Sequence, residues 1–122
     1  MNIKDLFINT LKNEFGFPVI LQGSMSDDDE YPDSFFTFFN NSTTSEAFYD
    51  NKETATVWDF DLNFYSNNPD LVNSILLEAK TSLKAHGFII DGKGYDVLSD
   101  EPTHTGRGIN VLFVENEGGL IL

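Results

Sequence analysis

The apolar positions of this chain follow two different periods, and the places where the period changes mark its elements. Ile3, Leu6, Phe7, Leu11 and Phe15 recur at the spacing of one buried helical stripe, which predicts an amphipathic helix over residues 3–14. Gly16 and Pro18 end it. Residues 18–22 then read as a short strand and Ser34 to Phe39 as an aromatic one. From Thr54 to Ser66 the period falls to two: Trp58, Phe60, Leu62 and Phe64 alternate with Val57, Asp59, Asp61 and Asn63. Successive side chains of a strand point to opposite faces, so the aromatic residues share one face and the carboxylates the other. Such a strand belongs in a sheet covered on one side only.

The helical period returns at Asn68-Pro69-Asp70. That triplet combines a capping side chain, a proline for the first turn and an acid at the positive end of the helix dipole. Leu71, Val72, Ile75, Leu76, Ala79 and Leu83 form the buried stripe, Lys84 and His86 suit the carbonyl end, and Gly87 supplies a left-handed stop. Phe88-Ile89-Ile90 reads as a strand and Asp91-Gly92-Lys93-Gly94 as a turn, with further strands at Tyr95 to Leu98 and Ile109 to Val114. Polar stretches at residues 23–30, at Asn40 to Ser45 and around Pro102, His104 and Arg107 read as loops. Asp50-Asn51-Lys52 reads as a hairpin turn, and the Gly-rich end from Asn116 as a loose tail. No repeat or linker divides residues 1–122. The expected order is α-β-β-β-α-β-β-β, an α+β fold with two helices packed on one face of an antiparallel sheet.

Composition adds an aromatic core and a strong charge. With 12 Phe, 4 Tyr and 1 Trp, each withdrawing roughly 150–250 Å² from water when buried, a core can form without staples. There is no cysteine, which removes disulfides and thiolate metal sites. No apolar run approaches the roughly 20 residues of a membrane helix. Met1 to Asp5 lacks the basic and apolar regions of a secretory signal, so a cytosolic product is expected. Net charge is −13, from 20 acidic residues against 7 basic ones. Nucleic-acid affinity comes from neutralising phosphates, so this balance argues against direct DNA or RNA binding.

Candidate chemistry is sparse. Asp59 and Asp61 share a strand face with side chains about 7 Å apart, a separation at which two carboxylates can flank a glycosidic bond or hold a divalent ion. A solvated sheet face is the plainer reading. Asp27-Asp28-Asp29-Glu30 invites a calcium reading, yet an EF-hand loop needs alternate oxygen ligands, a central Gly and a distant Glu. His86 and His104 are far apart in the chain, and a zinc site would need both plus carboxylates. There is no Gly-x-Ser-x-Gly elbow, and Gly106-Arg107-Gly108 lacks the other glycines and the Lys of a phosphate loop. No catalytic residue, metal or cofactor is expected.

One stretch carries more than composition does. Phe48-Tyr49-Asp50-Asn51-Lys52-Glu53-Thr54-Ala55-Thr56-Val57-Trp58-Asp59-Phe60-Asp61-Leu62-Asn63-Phe64-Tyr65-Ser66 resembles the central hairpin of bacteriophage tail terminator (tail completion) proteins. In that family a turn with an acid, Asn or Asp, and Lys leads into a long strand of alternating aromatics. A helix ending near a Gly-Phe pair follows, as at Gly87-Phe88, and then a loop and final strand, as in Thr103-His104-Thr105-Gly106-Arg107-Gly108-Ile109-Asn110-Val111. The resemblance spans roughly residues 35–115. It implies a virion structural protein assembled in the host cytoplasm, a ring, usually hexameric, at the head-proximal end of a tail. Such a ring ends tube polymerisation, contacts the tail tube protein and the head-connector protein, and lets DNA pass without tight binding. Arg107, His104, Asp50 and Lys52 are the candidate contact residues, and Asp59 and Asp61 the candidate acidic groups facing the lumen. A tail terminator, a head–tail joining protein and a neighbouring connector component all fit.

Two other classes stand beside this one. An acidic inhibitor, a DNA mimic or immunity protein, would use the same net charge to occupy a basic partner. It requires carboxylates spread in two phosphate-like rows, whereas a ring protein requires them concentrated towards a lumen, with apolar or mixed rims between subunits. A small hydrolase or metalloenzyme would rest on Asp59 and Asp61 alone.

Overall fold

Residues 2–21, 32–48, 52–99 and 101–116 are described in the computed structural model. Helix α1 runs over Ile3–Phe15, capped by the Asn2 side chain, which accepts from the Asp5 amide, and closed by Gly16 in the left-handed conformation. Helix α2, Pro69–Ala85, starts as its sequence indicates: Asn68 accepts from the Asp70 amide and Pro69 opens the first turn. At its other end the His86 ring meets the Ser82 carbonyl at 2.8 Å, and Gly87 follows at φ 93°.

Five strands form one sheet in the order β1-β2-β3-β5-β4. They are β1 (Val19–Leu21), β2 (Ser34–Phe48), β3 (Lys52–Ser66), β4 (Ile89–Val97) and β5 (Thr105–Asn116). The architecture is α+β, with both helices packed on the sheet, as expected. Three details depart from the sequence reading. The sheet is mixed rather than wholly antiparallel, because β1 pairs with β2 in parallel through Val19↔Phe36, Ile20↔Thr37 and Leu21↔Phe38. Asn40 to Ser45 is no loop: β2 continues to Phe48 because β3 offers a ladder along that whole length, from Ser34↔Ser66 to Phe48↔Lys52. The strands expected on either side of Asp91-Gly92-Lys93-Gly94 are one strand, so the described residues form five strands and not six. β5 pairs with both halves, Asp91↔Asn110 and then Tyr95↔Gly108, and residues 92–94 bulge out opposite Ile109. Positive φ at Gly92 and Gly94 makes that bulge accessible to the backbone.

The core lies between the helices and one face of the sheet. Phe7 and Leu11 of α1 and Leu76, Ala79 and Leu83 of α2 close over Phe36, Phe38, Phe60, Leu62, Phe64, Ile109, Val111 and Phe113. Phe7 stacks on Phe60 at 4.5 Å between ring centroids with planes 6° apart, and meets Phe38 and Phe88 edge-on. The alternation in β3 therefore does what its sequence implies: Phe60, Leu62 and Phe64 are buried, while Asp59 and Asp61 point away from the helices.

Replacing Phe60 with Ala should cost about 3–5 kcal/mol, the usual range for a large buried aromatic. Val57→Ala, on the opposite face, should cost much less. Denaturant melts of both variants check this, and equal losses would mean that the two faces are misassigned.

Candidate functional site

The face of the sheet away from the helices can be read as rows across the strands. Val97, Gly106, Tyr65 and Phe35 make the first row, and Tyr95, Gly108, Asn63, Thr37 and Ile20 the second. Asp91, Asn110, Asp61 and Phe39 make the third, and Ile89, Leu112 and Asp59 the fourth. Acidic and amide groups hold the centre. Around them lie exposed apolar side chains, with Phe39 at 46%, Ile89 at 49% and Val114 at 41% exposure.

Asn110 ties the centre together. Its Nδ2 donates to Asp59 Oδ1 at 2.6 Å, to Asp61 Oδ1 at 3.3 Å and to the Phe60 carbonyl at 3.1 Å. Asn41 Nδ2 also donates to Asp59, at 3.3 Å. From the other side the Tyr95 hydroxyl donates to Asp61 Oδ1 at 3.4 Å. One amide thus holds two carboxylates on one face in fixed relation. Burial, then the neighbouring carboxylate of Asp61 and its hydrogen bond, push the Tyr95 phenol above its ordinary pKa.

Gly106 and Gly108 make this arrangement sterically feasible. A Cβ at Gly108 would collide with Asn63 Oδ1 and stand 2.8 Å from the Tyr95 ring; one at Gly106 would stand 2.5 Å from the Tyr65 ring. Each glycine lets a tyrosine from an adjacent strand lie across β5. Beneath Tyr95, Asn63 donates to Thr37 Oγ1 at 3.5 Å, and its buried Oδ1 has no hydrogen-bond partner. Two glycines within a strand signal close approach by a neighbour, and that signal was present in Gly106-Arg107-Gly108. The segment reads as a loop only because glycine is also a turn residue.

The structure separates the residues expected to make contacts. Arg107 belongs to β5, not to a loop, and lies on the helix side of the sheet, where its Nη1 pairs with Asp96 at 2.7 Å. His104 is turned inward: its ring nitrogens reach the Pro32 carbonyl at 2.8 Å and the Thr103 hydroxyl at 2.9 Å, and Phe35 lies beside it. Lys52 opens β3 opposite Phe48. Asp50 and the Asp27–Glu30 acids lie outside the described residues, as does the tail beyond Asn116. Among the described residues, no three His, Asp or Glu side chains converge as a metal site, and no helix is long and apolar enough to cross a membrane.

No protein-family model matches the chain, and no curated protein matches it. Its surface must therefore carry the functional argument.

Two measurements test the geometry of this face. Gly108→Ala should destabilise the fold by about 1–3 kcal/mol, the cost of forcing a methyl group into an occupied space, as denaturant melts would show. The second concerns Tyr95. A phenol with a raised folded pKa contributes stability that is complete below the unfolded value of about 10 and is lost as pH climbs through the folded value. The stability difference between the wild type and Tyr95→Phe should therefore shrink above pH about 10. A difference that stays constant with alkaline pH would remove Tyr95 from the carboxylate network.

Proposed function

We propose that this chain is a ring-forming structural subunit of a phage tail, either the terminator or an adjoining head–tail connector component. The β2–β3 arm carries the reading. Both strands are 15 residues long, and their ladder runs on from Trp58↔Thr43 to Lys52↔Phe48. From Trp58, which packs on the core, the ladder continues for roughly 20 Å at the rise of an extended strand. β5 accompanies the arm as far as Asn116↔Ala55. A paired ribbon of this length suits contact with an adjacent subunit, and it is the same stretch that resembles the hairpin of tail terminator proteins.

Charge geometry favours this reading over an acidic mimic. A duplex mimic needs two extended rows of carboxylates. The described outer face carries Asp59 and Asp61 on one strand and Asp91 two strands away, set among exposed apolar side chains. That mixture resembles a protein contact, in which apolar area is interspersed with polar groups. Net charge of −13 would also keep passing DNA from adhering to a ring wall.

The purified protein mixed with isolated tail tubes should cap one end of each tube as a ring visible in electron micrographs. Free in solution, its mass should rise with concentration and with moderate salt, which shortens the reach of repulsion between acidic subunits to about 8–10 Å. A protein that remains monomeric under all these conditions, tubes included, would end the ring reading.

A further inference from the structure

Three of the chain's seven basic residues meet at one place. Lys80 of α2, Lys93 of the β4 bulge and Arg107 of β5 line a cleft of about 370 Å³ together with Asn73, Leu76 and Leu77. The bulge builds it. Lys80 Nζ donates to the Lys93 carbonyl at 3.0 Å, which fastens the bulge to α2. Gly94 sits so close to β5 that a Cβ there would lie 3.5 Å from Arg107 Nε and 3.0 Å from the Gly108 carbonyl. Re-aiming side chains is what bulges commonly do. The described counter-charge is Asp96, bonded to Arg107 through Nη1 alone, so the fork is not closed in a bidentate pair. In a chain of net charge −13, this is a local concentration of positive charge beside an exposed apolar side chain, Leu77 at 60% exposure.

We propose that the cleft receives the Asp59–Asp61 face of a second copy of this chain, making the subunit contact head-to-tail. The inference rests on the ring reading and names its interface. Complementarity favours a second copy as the occupant. One surface has an acidic centre, fixed by Asn110, with Phe39 and Ile89 exposed around it; the other has a basic centre with Leu77 exposed beside it. Nucleic acid is the weaker candidate, since three cations on so acidic a chain gain little against long-range repulsion of phosphates.

The two surfaces lie on opposite sides of one subunit, so the contact is heterologous, and it makes a ring where the rotation between successive copies closes. This assigns Asp59 and Asp61 to the contact between subunits rather than to the lumen. A lumen would leave Phe39 and Ile89 wetted, whereas a contact removes them from water.

Charge reversal tests the pairing. Lys93→Glu with Arg107→Glu reverses the cleft, and Asp59→Lys with Asp61→Lys reverses the face. By sedimentation velocity, under conditions where the wild type assembles, each double variant alone should remain monomeric. An equimolar mixture should recover the wild-type mass, because each reversed surface then meets a complementary one. Neutral pairs, Lys93→Gln with Arg107→Gln and Asp59→Asn with Asp61→Asn, serve if reversal lowers the melting temperature. With folding intact they should weaken association at least about tenfold. Wild-type-like assembly of either reversed variant, or monomers that stay apart when mixed, would overturn this interface while leaving a ring built on other surfaces. A wild type that never assembles, even on tail tubes, would overturn the ring and the interface together.

Discussion

β3 is hydrogen-bonded on both sides, to β2 and to β5, so its pleat decides which way the side chains of three strands point. A slip of one residue would put Asp59, Asp61 and Asn63 against Phe7, Leu76 and Leu83 and send Phe60, Leu62 and Phe64 into water. Exposing three such side chains forfeits about 1.5–3 kcal/mol each, and forcing two carboxylates into an apolar layer costs several more. Together these losses rival the whole stability of a typical domain, about 5–15 kcal/mol. One register is thus selected, and with it an apolar face for the helices and an acidic face for something else.

That is why so much of the architecture was legible in the sequence. The helices follow from stripes whose period is local, and their ends from Asn68-Pro69, Gly16 and Gly87, each acting through its own backbone. The alternation in β3 is likewise a local signal. What escaped was set by distant partners. Asn40 to Ser45 looks like a loop because its polarity is all that neighbouring residues reveal, yet β3 supplies its hydrogen bonds. The parallel pairing of β1 leaves no mark in three residues, Val19–Leu21, that would suit either direction. Asp91-Gly92-Lys93-Gly94 has the composition of a tight turn, and only the length of β5 shows that the chain continues straight past it.

The outer face was legible to a similar degree. Asp59 and Asp61 could be placed together from their spacing, but Asn110, which holds them, is about fifty residues distant in sequence. Arg107 and His104 were grouped because they are close in the chain. Strand parity sends Arg107 to the helix side, while His104 is drawn inward by the Pro32 carbonyl. Proximity in sequence is a poor guide within a strand, where adjacent residues face opposite ways.

The β4 bulge has one more consequence. β4 is the outermost strand on its side of the sheet, and a straight, flat edge would offer its unused backbone groups to any extended chain. Two left-handed glycines and a displaced lysine break that row in the middle, so a foreign strand could match it for only a few residues before losing step. Edge-to-edge growth, which has no natural stopping point, is thereby discouraged on this side. Copies that associate are directed instead to side-chain surfaces, where shape can limit how many of them fit.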